Sequence, residues 1–366
     1  MYSPTFTITQ YILSYIVKCE LALERIRTTP LPDTYFTEVY EKLRAEDIDK
    51  LGELIGSSIG YSKALQIQRG KVLPTGKAKD RILTNYRSVQ DFINVYTASS
   101  FYRPSSELMI HLNKLLGKSL VEEWEIGKLR TFSEKPNDIH DNWYKLRDFF
   151  PNLKPKRHLD ELFLWINTPK NVPHKLIQLA VLLYEIMDKA PFNALNQITA
   201  ITTISILAKE YGYNHRNLIP FAKAINQISE EIISAFKICK SKKDLTIFIE
   251  TLLYSLALTS TEVSTLIKNT YDNRVKKYSK LNESLNPRQV KILETMEKER
   301  RITRHDYSKL MGVSFMTAFR DLQELLDMKY IQQKGVGRGT YYILSEKIKA
   351  DETNKPKVGK TLRTFD

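Results

Sequence analysis

The chain has 366 residues, 42% of them hydrophobic and 27% charged, with a formal net charge of +14. That length predicts two or three domains, and the apolar content is ordinary for a soluble globular chain. The basic balance points to a polyanionic partner, with a solvated basic surface as the plainer alternative.

The N-terminal run MYSPTFTITQYILSYIVKCE has no basic leader and no small-residue cleavage site, and Lys18 stops it short of a membrane span. It reads as an amphipathic first helix over 8–27, with Ile8, Ile12, Tyr15, Ile16 and Cys19 on one stripe at steps of three and four. The prolines of TTPLPD end it. Two helical segments follow over 35–68, then a loop over 70–79 and helices over 80–99, 104–118 and 158–168. Between the last two, 119–157 is irregular, with a short hairpin expected around Gly127. Helical period resumes over 173–189, 195–211, 217–238 and 243–269, the last with one possible break. YDNRVKKYSKLNES, at 271–284, is polar and weakly apolar and is the best linker. The two cysteines, Cys19 and Cys239, make neither a metal spacing nor a disulfide framework and fit a reducing cytoplasm.

Residues 285–344 are the most telling stretch, with three short helical patterns followed by two strand-like runs around GVGRG. Asn286 is placed to cap the first helix, with Pro287 at its first position. Val290, Leu293 and Met296 form that helix's inward stripe. Thr303 caps the second helix, which stops at Gly312, and Ser314 caps the third. Ala318, Leu322, Leu325 and Leu326 then share the buried face, while Met316, Arg320 and Gln323 point outward with Thr317 and Phe319 on the flanks.

That order is the order of a winged helix-turn-helix. Residues 275–366 hold 20 Lys and Arg against 12 Asp and Glu, more than half of the net charge in a quarter of the chain. The expected partner is double-stranded DNA, read by a homodimer on two half-sites. The candidate DNA-binding residues are Ser314, Phe315, Met316, Thr317, Arg320, Arg304, His305 and Arg338. Arg320 suits a bidentate contact to guanine, or else pairs with Asp321 or Glu324. Ser314 and Thr317 suit phosphate, and His305 beside Arg304 adds to phosphate binding. Arg338, in the glycine-rich turn, suits a minor groove or phosphate. The competing reading is a module that only packs against a protein target.

At this point the chain resembles Fic-family (fido-fold) proteins that carry a C-terminal winged helix. The likeness rests on FTITQYIL, on GKVLPTGKAKDRILTNYRSV with its Asn85-Tyr86 pair, and on GKLRTF, similar to the family's flap strand. It continues through LAVLLYEIMDKAPFNALNQITAITTISILAKEYGY, DLTIFIETLLYSLALTSTEV, and SFMTAFRDLQELLDMKYI with GVGRGTYYIL. The resemblance implies a mainly α fold, a Fic-like helical core with a small β-hairpin flap plus the winged domain. It divides the chain into an N-terminal helical region (1–100), a degenerate Fic-like core (101–270), the linker (271–284), the winged helix-turn-helix (285–345) and a loose tail (346–366).

The family's activity, transfer of AMP from ATP to a protein hydroxyl, uses a signature HPFxDGNGRxxR. There the histidine is the general base, the acidic residue holds magnesium, and glycines and arginines hold phosphate. Here the histidine position is Ala190, Pro191 and Phe192 remain, the acidic position is Ala194, and the glycine positions are Leu195 and Gln197 around a retained Asn196. The arginine positions are Ile198 and Ile201. The family's restraining segment SSxIEGN keeps Ser57 and Ser58 but has Tyr61, Ser62 and Lys63 where its glutamate, glycine and asparagine fall.

The expectation is therefore a sequence-specific DNA-binding regulator on a catalytically inactive scaffold, with no catalytic residue, metal or cofactor. The alternatives are a divergent adenylyltransferase and a pure interaction protein. None of the six histidines lies at metal-ligand spacing from another.

Overall fold

A computed structural model describes residues 2–31, 33–72, 78–96, 104–120, 125–130, 154–168, 173–282 and 285–345. The chain falls into two compact units, 1–271 and 272–366.

The first unit is helical. Helix α1 (Gln10–Thr28) starts at Thr9, whose hydroxyl accepts from the Ile12 amide, and buries Ile12, Ile16, Cys19, Leu23 and Ile26. Ile8 precedes the helix and is exposed, so the expected stripe begins four residues later. Then come α2 (Asp33–Leu54), α3 (Tyr61–Gln68), α4 (Ala78–Tyr96), α5 (Ser106–Gly117) and α6 (Pro155–Asn167). At the centre lie α7 (Lys175–Lys189) and α8 (Asn196–Glu210). Every side chain from Leu176 to Asp188 and from Asn196 to Ala208 is buried, as expected for helices that are apolar nearly all round.

The stretch expected as one helix over 217–238 is two, α9 (Phe221–Asn226) and α10 (Ser229–Lys242). Neither Gln227 nor Ile228 breaks a helix by propensity. Packing sets the break, with Gln227 accepting a hydrogen bond from Thr259. In contrast α11 (Thr246–Asn282) runs unbroken for 37 residues, through most of the polar stretch expected as a linker. That stretch has no proline or glycine, so nothing in its backbone chemistry stops the helix.

Around Gly127, where a hairpin is expected, only 125–130 is described, and there Gly127 lies in a turn. Leu129 pairs antiparallel with Phe192, through Arg130 N to Pro191 O at 2.9 Å and Asn193 N to Lys128 O at 3.2 Å. Residues 131–153, where the rest of the flap was expected, lie outside the described residues.

The second unit holds α12 (Pro287–Glu299), α13 (Arg304–Met311), α14 (Phe315–Asp327), β1 (Ile331–Lys334) and β2 (Tyr341–Leu344). The strands pair antiparallel from Ile331 with Leu344 to Lys334 with Tyr341, and Ile302 adds a bridge to Tyr342. Asn286 and Thr303 each close a capping box, with Gln289 and Asp306 respectively. Ile292, Leu293, Met296, Tyr307, Ala318, Leu322, Leu325, Ile331 and Tyr342 form its core. Gly335 permits the turn, since its φ is +76° and a Cβ there would lie 2.3 Å from the Gly339 carbonyl oxygen. The tail from 346 lies outside the described residues.

Candidate functional site

Two places in the chain carry the residues singled out above. The first is the turn from α7 to α8. Ala190 ends α7 in the left-handed region (φ 40°), its amide bonded to Ile186 O at 2.9 Å. Leu195 opens α8, also left-handed (φ 62°), with no side-chain cap. Between them Phe192 is held at both ends by one side chain: Asn196 Oδ1 accepts from its amide and Asn196 Nδ2 donates to its carbonyl, both at 2.9 Å. Asn113, from α5, donates to Ala194 O and Thr199 Oγ1 at 2.9 Å and accepts from the Gly127 amide at 3.0 Å. Arg130 turns its guanidinium inward onto the end of α7, with Nε 2.8 Å from Ala190 O and Nη2 2.9 Å from Lys189 O. A cation suits those carbonyls, the negative end of the helix dipole.

This turn is closed. Ala190, Phe192, Leu195, Asn196, Ile198 and Ile201 are all buried, and 190–201 contains no ionisable side chain. Pro191 O and Ala194 O are already hydrogen-bonded to Arg130 and Asn113. The retained Pro191, Phe192 and Asn196 serve packing and backbone satisfaction. The donor set offers neither a base nor a metal ligand, and the residues present do not fit a magnesium-bound triphosphate.

The Asn85-Tyr86 pair is structural as well. Asn85 Nδ2 donates to Leu116 O and Lys118 O at 2.8 and 2.9 Å, satisfying the end of α5. Tyr86 donates to Asp47 at 2.7 Å, and Asp47 also accepts from the Ala222 amide at the start of α9. Ser57 follows the end of α2, while Tyr61 is 43% exposed and Lys63 pairs with Asp80 of α4 at 2.9 Å.

The second place is the outer face of the C-terminal unit. Gly312, at φ 65°, turns α13 into α14, and Ser308 Oγ donates to Val313 O at 2.6 Å across the turn. Ser314 caps α14, accepting from the Thr317 amide at 3.1 Å, and its hydroxyl lies 3.0 Å from Thr317 Oγ1. The first turns of α14 face solvent, with Phe315 55%, Met316 62% and Phe319 38% exposed, and with Arg320 and Gln323 exposed beside them. Thr317 is half-buried. The start of α13 meets the same face: the Arg304 guanidinium lies 4.5 Å from the Phe319 ring centre, and the His305 and Phe315 rings are 5.8 Å apart. Seven of the eight candidate DNA-binding residues thus gather at the starts of two helices. The eighth, Arg338, has its backbone in the 3-10 turn Gly337–Gly339, but its side chain lies outside the described residues. Val336, 91% exposed, stands at the tip of that turn.

The pairing of Arg320 with Asp321 or Glu324 is not formed. Asp321 Oδ2 accepts from Arg288 Nε at 2.9 Å and from the Tyr307 hydroxyl at 2.8 Å, and Oδ1 accepts from Arg288 Nη2 and Asn286. Glu324 accepts from Gln289 Nε2 at 2.6 Å. Burial alone would raise the Asp321 pKa; the hydrogen bonds from Arg288, Tyr307 and Asn286 outweigh it and hold the carboxyl below its ordinary value. One carboxylate therefore ties α12, α13 and α14 together. The sequence signal was an acidic residue three positions after Ala318, on the buried stripe.

Among the described residues no three His, Cys, Asp or Glu side chains gather where they could hold a metal ion. No helix among them is long and apolar enough to cross a membrane.

The sequence matches no protein-family model and no curated protein. Solved structures do resemble it. A Fic family protein from Desulfovibrio desulfuricans G20 superposes with a TM-score of 0.63 at 15% identity, covering 94% of this chain and 98% of that one. A Fic domain containing signaling protein from Bacteroides thetaiotaomicron VPI-5482 gives 0.53 at 14% identity, over 72% of this chain and 98% of that one. Fic-1 from C. elegans gives 0.55 at 12% identity, over 73% of this chain and 72% of that one. These likenesses establish the fold: the helical architecture is that of Fic proteins.

Proposed function

We propose that this protein is a sequence-specific DNA-binding regulator: a Fic-fold body without transferase chemistry, carrying a C-terminal winged helix-turn-helix. One observation carries the reading. The start of α14 presents Phe315, Met316 and Arg320 to solvent with Arg304 and His305 alongside, while the turn at 190–201 is buried and holds no ionisable group.

On this reading α14 enters the major groove by its N-terminal turns. Arg320, with both neighbouring carboxylates engaged elsewhere, reads a guanine edge. Phe315 and Met316 supply the apolar contact that a thymine methyl group takes. Thr317, Arg304 and His305 hold phosphate and set the register, helped by the positive end of α14. The β1–β2 turn lies over the backbone.

The test is an anisotropy titration of the full chain against duplexes enriched from a random library, at several salt concentrations. A preferred sequence bound at least about 10³-fold more tightly than random duplex supports the reading. Equal affinity for all duplexes, vanishing at modest salt, would overturn it. Incubation with labelled ATP and magnesium tests the body. The expected result is no label on any protein; transfer that disappears on disrupting 190–201 would make the chain an enzyme.

A further inference from the structure

Helix α1 has an outer face that no described residue covers. On the side that meets α11, Tyr11 and Leu21 are 66% and 56% exposed. Beside it, α11 leaves Tyr254 and Leu258 49% and 41% exposed. Single exposed apolar side chains need no explanation, but Tyr11, Tyr15, Leu21, Tyr254 and Leu258 lining one groove between two neighbouring helices do.

The two helices run side by side in the same direction. Thr9 hydrogen-bonds Glu250 near their starts, and the Tyr15 and Tyr254 rings meet edge-on at 5.6 Å further along. Two adjoining depressions of about 380 and 530 Å³ lie along them, sharing Tyr15, Tyr254 and Leu258. The charges sit at opposite ends. Lys18 and Arg25 line the first depression, Glu231 and Glu250 the second.

We infer that this face seats a second copy of the same chain, docked antiparallel about a two-fold axis near Tyr15 and Tyr254. An axis lying in the interface and crossing the helices at right angles brings each basic end onto the acidic end of the partner. An axis along the helices would set like charge against like. A foreign partner of one charge sign would match only half of the face, whereas the chain itself matches all of it, as an isologous contact requires. The apolar middle with polar ends is the usual anatomy of an interface. A 19-residue helix is about 28 Å long. Two such helices side by side offer a face on the order of the 800 Å² that one partner contributes to a stable complex.

The dimer forms without DNA, so its test is separate from the reading of the C-terminal unit. Sedimentation equilibrium of the full chain is expected to give a dimer. Leu21→Glu and Leu258→Glu, both at exposed positions, are expected to leave far-UV circular dichroism unchanged and raise the dimer dissociation constant at least tenfold. Arg25→Glu alone and Glu231→Arg alone are each expected to weaken the dimer. A one-to-one mixture of those two variants is expected to restore it, because both contacts of the mixed dimer are then attractive. A monomeric wild type overturns the proposal. So does a dimer indifferent to Leu21→Glu, or charge variants that do not rescue each other.

Discussion

Helices α8 and α14 both start after a short turn from a preceding helix, and each start carries a positive dipole end. Their surroundings are opposite. At α8 the cap is Leu195, buried and left-handed with no side-chain bond, and no ionisable group lies within 190–201. At α14 the cap is Ser314, the first two residues are exposed, and Arg304, His305 and Arg320 stand nearby. An anion-attracting helix end is common property. Access and added cations decide whether anything can use it, and here only one of the two ends has both.

The largest effect tests whether the first end is sealed. Asn196→Ala leaves the amide and carbonyl of Phe192 unpaired in a buried site, at a cost of about 2–5 kcal/mol. All three tryptophans lie before residue 271, at Trp124, Trp143 and Trp165, so their fluorescence reports the body alone. Its denaturation midpoint is expected to fall while DNA affinity of the folded protein holds. An unmoved midpoint would mean that water reaches the turn. Leu195→Gly relieves a left-handed backbone but empties a buried site, and a net loss of about 2 kcal/mol is expected in the same assay.

Asp321→Ala tests the frame of the open end. It strands the buried Tyr307 hydroxyl and unties Arg288, and is expected to cost the C-terminal unit about 2–4 kcal/mol in amide hydrogen exchange. The folded-state pKa of Asp321 lies below the ordinary carboxylate value, so its contribution is complete above about pH 4 and is lost as pH falls through the folded value. Asp306 is held low as well, first by its bonds from Thr303. The difference between wild type and Asp321→Asn therefore isolates Asp321, and equal acid sensitivity in the two would remove its assigned role.

Those two sites also show what the sequence could reveal. The caps at Asn286, Thr303 and Ser314 and the stop at Gly312 were legible because each is a contact within a few residues. The lack of ionisable groups in 190–201 was legible as plain spelling. The partners of Asp321 and the cation that closes α7 were not, because Arg288 and Arg130 arrive from 33 and about 60 positions away. The helix break at Gln227–Ile228 and the continuation of α11 to Asn282 were missed because packing, not propensity, sets the first and nothing local opposes the second.

Arg320→Ala sharpens the comparison from the open side. It is expected to lose about 1–3 kcal/mol of specific affinity and to relax preference at one guanine, leaving random-duplex binding almost unchanged. Replacing thymine by uracil in the enriched duplex removes only methyl groups. A loss of about 0.8 kcal/mol for each contacted methyl is expected, and it should vanish in Phe315→Ala or Met316→Ala. Duplexes bound tightly but indifferent to uracil would sink the thymine contacts while leaving DNA reading intact.

The smallest effect reverses the sign seen at Leu195. Lys329, just after α14, has φ 60°, nearly the angle of Leu195, but its side chain is exposed. A left-handed non-glycine residue costs about 1 kcal/mol, and glycine removes that cost. The freer unfolded chain and the lost cation at the helix end return part of it. Lys329→Gly is therefore expected to stabilise the C-terminal unit by about 0.5 kcal/mol, seen as slower amide exchange in α14. Since the two positions share a backbone angle and differ in burial, opposite signs would show that the buried leucine holds α8 in place by packing. If both variants lost stability alike, the left-handed backbone would carry no cost here, and the contrast between the two helix ends would rest on charge alone.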